Sequence, residues 1–232
     1  MYFYGIDAWY IILVLPAVIF SLIASAAVKM TFAKYSKVKS KRGITGADAA
    51  RAVLLANGVN GVDIERVSGD LTDHFDPKTN TIRLSDSVYA SNSVAAVGVA
   101  AHEAGHAVQY ARGYAPMKVR AAIIPATNIG STLAMPLIIL GIALSAPALA
   151  YVGIAAFGLS AVFQLVTLPV EFNASRRAVK AINGFAADTS EVSGAKRVLF
   201  AAAMTYVAAL AVSVASLLRL ILIVNGNSRR RD

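Results

Sequence analysis

The chain has 232 residues, 57% of them hydrophobic and 15% charged, with a mean hydropathy of +0.61 and a formal net charge of +9. That balance excludes an ordinary soluble domain and an intrinsically disordered chain, and its long apolar runs mark a polytopic membrane protein. The sequence contains no cysteine, which excludes disulfides and thiolate metal ligands.

The first apolar run, Trp9–Val28, carries no charge and predicts a membrane span. Ala24-Ser25-Ala26 resembles a signal-peptide cleavage site, but Met1–Ala8 has no Lys or Arg and contains Asp7. The run is therefore read as a retained anchor. Lys29, Lys34, Lys37, Lys39, Lys41 and Arg42 follow it as a basic collar. Such a collar at a membrane exit marks a cytoplasmic anchor against anionic lipid, and not a nucleic-acid arm. Thr45 stands three residues before Asp48, which predicts an N-cap for a helix over 46–56 that ends at Asn57-Gly58. Val62–Val67 reads as a short strand. Asp76-Pro77-Lys78-Thr79-Asn80 is a turn signal, and Thr81–Ser85 alternates polar and apolar residues like a half-buried strand.

Next comes VAAVGVAAHEAGHAVQYARG, residues 94–113, in a chain with only three histidines. The length of Ser93–Arg112 and its lack of proline suit a helix. On a helix, His102 and His106 are neighbours at i and i+4, about 5–6 Å apart, so both imidazoles reach one cation. Two satisfied core histidines would be the bland alternative, but burying polar groups without a purpose is costly. Glu103 lies one residue round from His102, placed to take a proton from water activated by that cation. Ala104 and Gly105 leave room for a close neighbour.

Three more apolar runs follow: Ala121–Leu144, interrupted by Pro125, Asn128 and Pro136; Ala148–Val170; and Val198–Val224. The second of the four runs could be kinked or partly re-entrant. Arg219, near the far end of the last run, is expected to snorkel to the interface. The fold class is thus mainly α, with about four transmembrane helices and a small α+β zincin-like region at the membrane face. The expected parts are an anchor over 1–28, an α+β region over 29–120, a transmembrane hairpin over 121–170, a polar segment over 171–197, and a last span with a basic tail over 198–232.

A zinc hydrolase needs a third protein ligand and one open position. His74 is the remaining histidine, and Glu171 closes the third apolar run in LPVEFNASRRAV, residues 168–179. Two crossings between His102 and Glu171 return the chain to the side it left, which favours Glu171. The side bearing the motif holds 18 of the 22 Lys and Arg residues, which puts it in the cytoplasm.

LTDHFDPKTNTIRLSDSVY, GVAAHEAGHAVQYA, YAPMKVR, TLPVEFNASRRA and AAAMTYVAAL together resemble the YugP-type family of membrane-bound neutral zinc metallopeptidases, across nearly the whole chain. More distantly, His-Glu-x-x-His with a later Glu-Phe-x-Ala resembles the gluzincin arrangement of HtpX-type and CAAX-prenyl proteases. That resemblance implies Glu171 as the third zinc ligand. Those families carry an Asp four residues beyond this Glu, where this chain has Ser175; Asn173, Ser175 or Arg176 could support the ligands instead.

The reading is a membrane-bound zinc metalloendopeptidase with one zinc per chain, held by His102, His106 and Glu171. Glu103 serves as general base and His74 sits on the substrate side. The substrate is a peptide or membrane protein, and the 81–85 strand is a candidate edge for holding it extended. A site-two-type intramembrane protease would carry a later Leu-Asp-Gly, which is absent here. A non-catalytic zinc scaffold would not need Glu103 beside the metal, and a transporter would use charges near spans as an ion path.

Overall fold

Two capping residues open the helices at the centre of the fold. In the computed structural model, which describes residues 7–228, the Asp48 N–H donates to Thr45 Oγ1 and the Thr45 N–H donates to the Asp48 carboxylate, each at 3.2 Å. This reciprocal box starts α2 (Gly46–Ala56). Asn57 caps its far end, and Gly58, at φ 63°, takes the left-handed conformation that closes the last turn. Ser93 Oγ accepts from the Ala96 N–H at 3.2 Å and starts α4 (Val94–Ala111).

Between α2 and α4 lie β1 (Asp63–Val67), β2 (His74–Asp76), β3 (Thr81–Ser85) and the single turn α3 (Asp86–Tyr89). The sheet order is β1-β3-β2, with β1 parallel and β2 antiparallel to β3. The β2–β3 turn is built by Asp76, whose carboxylate accepts from the Lys78 N–H and the Thr79 hydroxyl, both at 2.9 Å. Those bonds and the Arg83 guanidinium lower the Asp76 pKa to about 2, the Lys78 N–H contributing most.

The expectation that the 81–85 strand offers an edge is overturned. β3 is the central strand, paired on both sides, and has no free edge to hold a peptide. Its alternation misleads because Thr81 and Ser85 are buried alongside Ile82 and Leu84, their hydroxyls satisfied at Thr79 O and the Asp73 carboxylate. The edge strands are β1 and β2, and β2 is only three residues long and shows no strand period in the sequence.

Packing follows from small residues. Ala47, Ala50, Val53 and Leu54 of α2 bury against a core shared with Ala100, Ala101, Ala104 and Val108 of α4, closed by Ile82 and Leu84. Alanine-on-alanine contacts bury less area per side chain than leucine, so the packing relies on short interhelical distances.

Four helices among the described residues are long and apolar enough to cross a membrane: Tyr10–Tyr35, Ala115–Ala143, Pro147–Phe185 and Thr189–Gly226. The first consists of a π-helical stretch, Tyr10–Val14, running into α1 (Leu15–Tyr35). α5 (Ala115–Ala143) runs without a break and holds Pro125 and Pro136 inside it. It is neither re-entrant nor split. Ser145, at φ 57°, turns the chain into α6 (Pro147–Phe185). α6 does not stop where its apolar run ends but carries on as helix through Glu171 to Phe185. α7 (Thr189–Ser228) then starts at Asp188, whose carboxylate accepts from the Ser190 and Glu191 N–H groups at 2.8 and 3.1 Å.

The chain forms two compact units. One comprises Ser25–Lys118 and Pro169–Met204, and holds the sheet, α2, α3 and α4. The other, a membrane unit, comprises Met1–Ala24, Val119–Leu168 and Thr205–Asp232. In the membrane unit a Cβ on Gly153 of α6 would lie 2.7 Å from the Ala134 carbonyl oxygen, so only glycine allows α5 and α6 to pack at this distance. Ile138, Ala150, Ile154, Leu220 and Val224 form its buried cluster. Arg219 is paired with Asp7, which stands just before the first apolar run. Its Nε and Nη2 donate to Asp7 Oδ2 at 2.9 and 2.6 Å, with the guanidinium 5.5 Å from the Tyr10 ring centre. A fixed carboxylate within reach neutralises the cation better than a stretched side chain would.

Candidate metal centre

The His-Glu-x-x-His stretch lies in the interior of α4, among buried alanines and glycines. The i, i+4 spacing brings the His102 and His106 rings to 4.6 Å between centres, nearly perpendicular at 83°. Gly105 decides what can stand beside them. A Cβ there would lie 2.7 Å from the Ala174 carbonyl oxygen, so α6 rests directly on α4 at this point. Glu171, one turn before Ala174, is thereby brought to the two histidines from 69 positions away in the chain.

Three donor atoms converge. His106 Nε2 lies 3.1 Å from His102 Nε2, and Glu171 Oε2 lies 3.3 Å from His102 Nε2 and 3.5 Å from His106 Nε2. A tetrahedral zinc with ligands at about 2.0–2.2 Å separates them by about 3.3–3.5 Å. The cluster has the dimensions of one face of that tetrahedron, and its residues could hold a metal ion.

The surrounding hydrogen bonds say which atoms are bare. The Val170 carbonyl can only accept, and it lies 2.8 Å from Gln109 Nε2. The amide group of Gln109 is thus oriented, and its Oε1 faces His106 Nδ1 at 3.0 Å. Nδ1 must carry the proton, leaving His106 Nε2 with a lone pair. Ser175 Oγ lies 3.2 Å from His102 Nδ1, so a hydrogen bond fixes that ring edge and turns His102 Nε2 toward Glu171. The His106 lone pair, His102 Nε2 and the Glu171 carboxylate thus point at one spot, and that concentration of ligand atoms and negative charge favours a cation. Burial works against a charged His106, yet the neighbouring Glu171 and Glu103 carboxylates raise its pKa above the ordinary imidazole value, as a site of gathered negative charge does.

The network extends outward from the ligand atoms. Gln109 Nε2 also donates to Asn173 Oδ1 at 3.1 Å, which accepts in turn from Arg177 Nε at 2.8 Å. Asn173 thus reaches the cluster through Gln109, and Ser175 reaches it directly. Arg176 does neither: it faces a cavity lined by Phe172, Val179 and Leu199. His74 stands apart as well, exposed on β2 with Nδ1 2.8 Å from the Thr72 carbonyl oxygen, outside the three-residue cluster.

Glu103 is buried, and its charge is felt at both His106 and Asp73. Burial pushes the Asp73 carboxyl up, against the opposing Ser85 N–H and hydroxyl bonds at 2.8 and 2.9 Å, and the Glu103 charge adds to the rise. Gln109, Arg177 and Asp73 escaped the reading of the sequence. For Gln109 a signal existed: it is the one amide in an otherwise apolar helix, three residues after His106, on the same face.

The family described as "Putative neutral zinc metallopeptidase" matches residues 10–225. The chain belongs to this family. It is also 44% identical over 216 residues to the "Putative membrane protease YugP" of Bacillus subtilis (strain 168), covering 92% of this chain and 96% of that one. No solved structure matches the chain. Membership of a zinc peptidase family implies zinc, and His102, His106 and Glu171 form the cluster that could hold it.

Proposed function

We propose that this chain is a multi-pass membrane metallopeptidase that hydrolyses peptide bonds at the His102–His106–Glu171 cluster, with one zinc per chain and Glu103 as general base. The observation that carries the reading is the convergence of His102 Nε2, His106 Nε2 and Glu171 Oε2 at 3.1–3.5 Å from one another. When bound there, zinc supplies a Lewis acid that polarises the scissile carbonyl and acidifies water.

The chain's own residues do the rest. Gln109 holds the His106 proton on Nδ1, and Ser175 accepts the His102 Nδ1 proton when His102 Nε2 binds the metal, so that both Nε2 atoms serve as ligands. The Glu103 carboxylate takes a proton from the attacking water and delivers it to the leaving amine, the share of general acid–base catalysis that is worth about 10²–10⁴ in rate. Burial of Glu103 and Glu171 beside the metal keeps bulk water from screening those charges. Access is from the His102 side, where the side chain is 15% exposed against 3% for Glu171. Glu103 also separates this reading from a zinc-binding scaffold, since a ligand set complete without it gives a buried carboxylate no other task.

The deciding experiment is Glu103→Gln. The variant should retain zinc at the wild-type level and hydrolyse peptide at least about a hundredfold more slowly. Turnover near the wild-type rate would remove Glu103 from the mechanism. The catalytic side is the cytoplasm in this reading, because 18 of 22 Lys and Arg residues lie on it. Single cysteines at Ser36, Thr79 and Ser190, in a chain with no native thiol, should all react with a membrane-impermeant reagent from that side. Reaction at position 190 from the opposite side would reject the topology.

A further inference from the structure

Behind the candidate metal centre, α6 and α7 enclose a cavity of about 590 Å³, a size at which small-molecule sites are found. Its wall is apolar, made by Phe172, Leu199 and Phe200 among others, and three cations line it: Arg176, Lys180 and Lys196. No acidic residue lines it, and among the described residues none of the three cations makes an ion pair. Three like charges around one hollow repel one another and call for an anion. The aromatic wall is open as well, with Phe172 37% and Phe200 59% exposed.

Depth identifies the anion. The uncharged part of α6 ends at Val170, and Arg176 stands six residues beyond it, about 9 Å along the helix. Lys196 stands two residues before the uncharged start of α7 at Val198, about 3 Å away. The headgroup layer is about 5–8 Å thick on each face, so long basic side chains at these positions reach it while their stems cover apolar surface. On the other side of Lys196 and Phe200 a second cavity, of about 630 Å³, adds Lys34 and Arg197 to the same basic surface.

We propose that the cavity between α6 and α7 binds one anionic phospholipid. Arg176 and Lys196 hold its phosphate, Lys180, about 15 Å beyond Val170 along α6, reaches back toward it from the aqueous edge, and Phe172, Leu199 and Phe200 support an acyl chain. A basic pocket between spans at the membrane face suits a lipid headgroup, and the apolar wall distinguishes this occupant from a free phosphate. Ser175 lines the same cavity while its Oγ faces His102 Nδ1, so the lipid sits directly behind a candidate ligand. The site stands whether or not the peptidase reading does.

Native mass spectrometry of the purified full chain tests it, with phosphatidylglycerol and phosphatidylcholine of identical acyl chains titrated separately, and inorganic phosphate as the free-anion arm. Phosphatidylglycerol should bind one per chain. Its affinity should fall about fivefold in Arg176→Gln and in Lys196→Gln, and about a hundredfold in the Arg176→Gln/Lys180→Gln/Lys196→Gln protein. Helicity and zinc content of each variant check its fold, and if the triple variant misfolds the two single variants decide. Equal affinity of the wild type for both lipids, or unchanged phosphatidylglycerol binding in correctly folded variants, overturns the proposal. So does displacement of the lipid by inorganic phosphate at comparable concentration.

Discussion

Polar side chains are arranged in opposite ways in the two units. In the membrane unit, the Arg219 guanidinium meets the Asp7 carboxylate and the Tyr10 ring, and Tyr151 donates to Asn225 at 2.6 Å. Each donor there has its acceptor, and the charges cancel within the chain. In the other unit, His102, His106 and Glu171 bring three ligand atoms to one point, with the His106 proton held away from it by Gln109. A group of partners that satisfy one another stabilises a fold. A group complete only when a cation arrives is a site. Burial alone does not separate the two, since the Arg219–Asp7 pair and the histidine cluster both have low side-chain exposure.

The contrast is broken most severely at Glu171. Glu171→Ala removes one of three converging atoms and should abolish measurable peptide hydrolysis and most bound zinc, whereas His74→Ala should keep its metal. Metal analysis of the two purified proteins checks this, and a zinc-replete Glu171→Ala beside an empty His74→Ala would exchange their roles. Next in size is the membrane-unit pair. Arg219→Met leaves Asp7 without its partner and should lower stability by about 3 kcal/mol, read as a fall in the unfolding midpoint in mixed micelles. Zinc affinity should stay within about twofold, and a parallel loss of zinc would show that the pair also supports the site. A smaller effect is expected at Gln109. Gln109→Met removes the acceptor that keeps the His106 proton on Nδ1, and zinc affinity against a competing chelator should fall about ten- to a hundredfold. Wild-type affinity in that variant would mean that ring orientation comes from packing alone.

Legibility in the sequence tracked the distance over which each feature is made. The capping box of Thr45 and Asp48, the turn at Asp76 and the i, i+4 histidines are all closed within five residues, and each is present in the structure. The Arg219 side chain, by contrast, finds Asp7 from 212 positions away, and no local rule prefers that pairing to the interface. Gln109 likewise acquires its role only when α6 arrives with the Val170 carbonyl. The β3 strand was misread because hydrophobic alternation reports which face of a strand is buried. It is silent on whether the two edges are paired.

By itself the sequence determined four spans, the mainly helical class, and a helix with two histidines and a glutamate on neighbouring positions, since all of these follow from composition and short-range periodicity. Only the tertiary structure decided that β3 is central, that Arg177 and not Arg176 supports Asn173, and that Arg176 instead joins Lys180 and Lys196 around a hollow. It also decided how closely Glu171 approaches: the absent side chain of Gly105 lets the Ala174 backbone rest on α4, and that contact sets the 3.3 Å between Glu171 and His102. The physical reason is the same in each case. Periodicity fixes the direction of a side chain from its own helix or strand, whereas the atom it meets depends on where an independent segment comes to rest, and that is settled by packing.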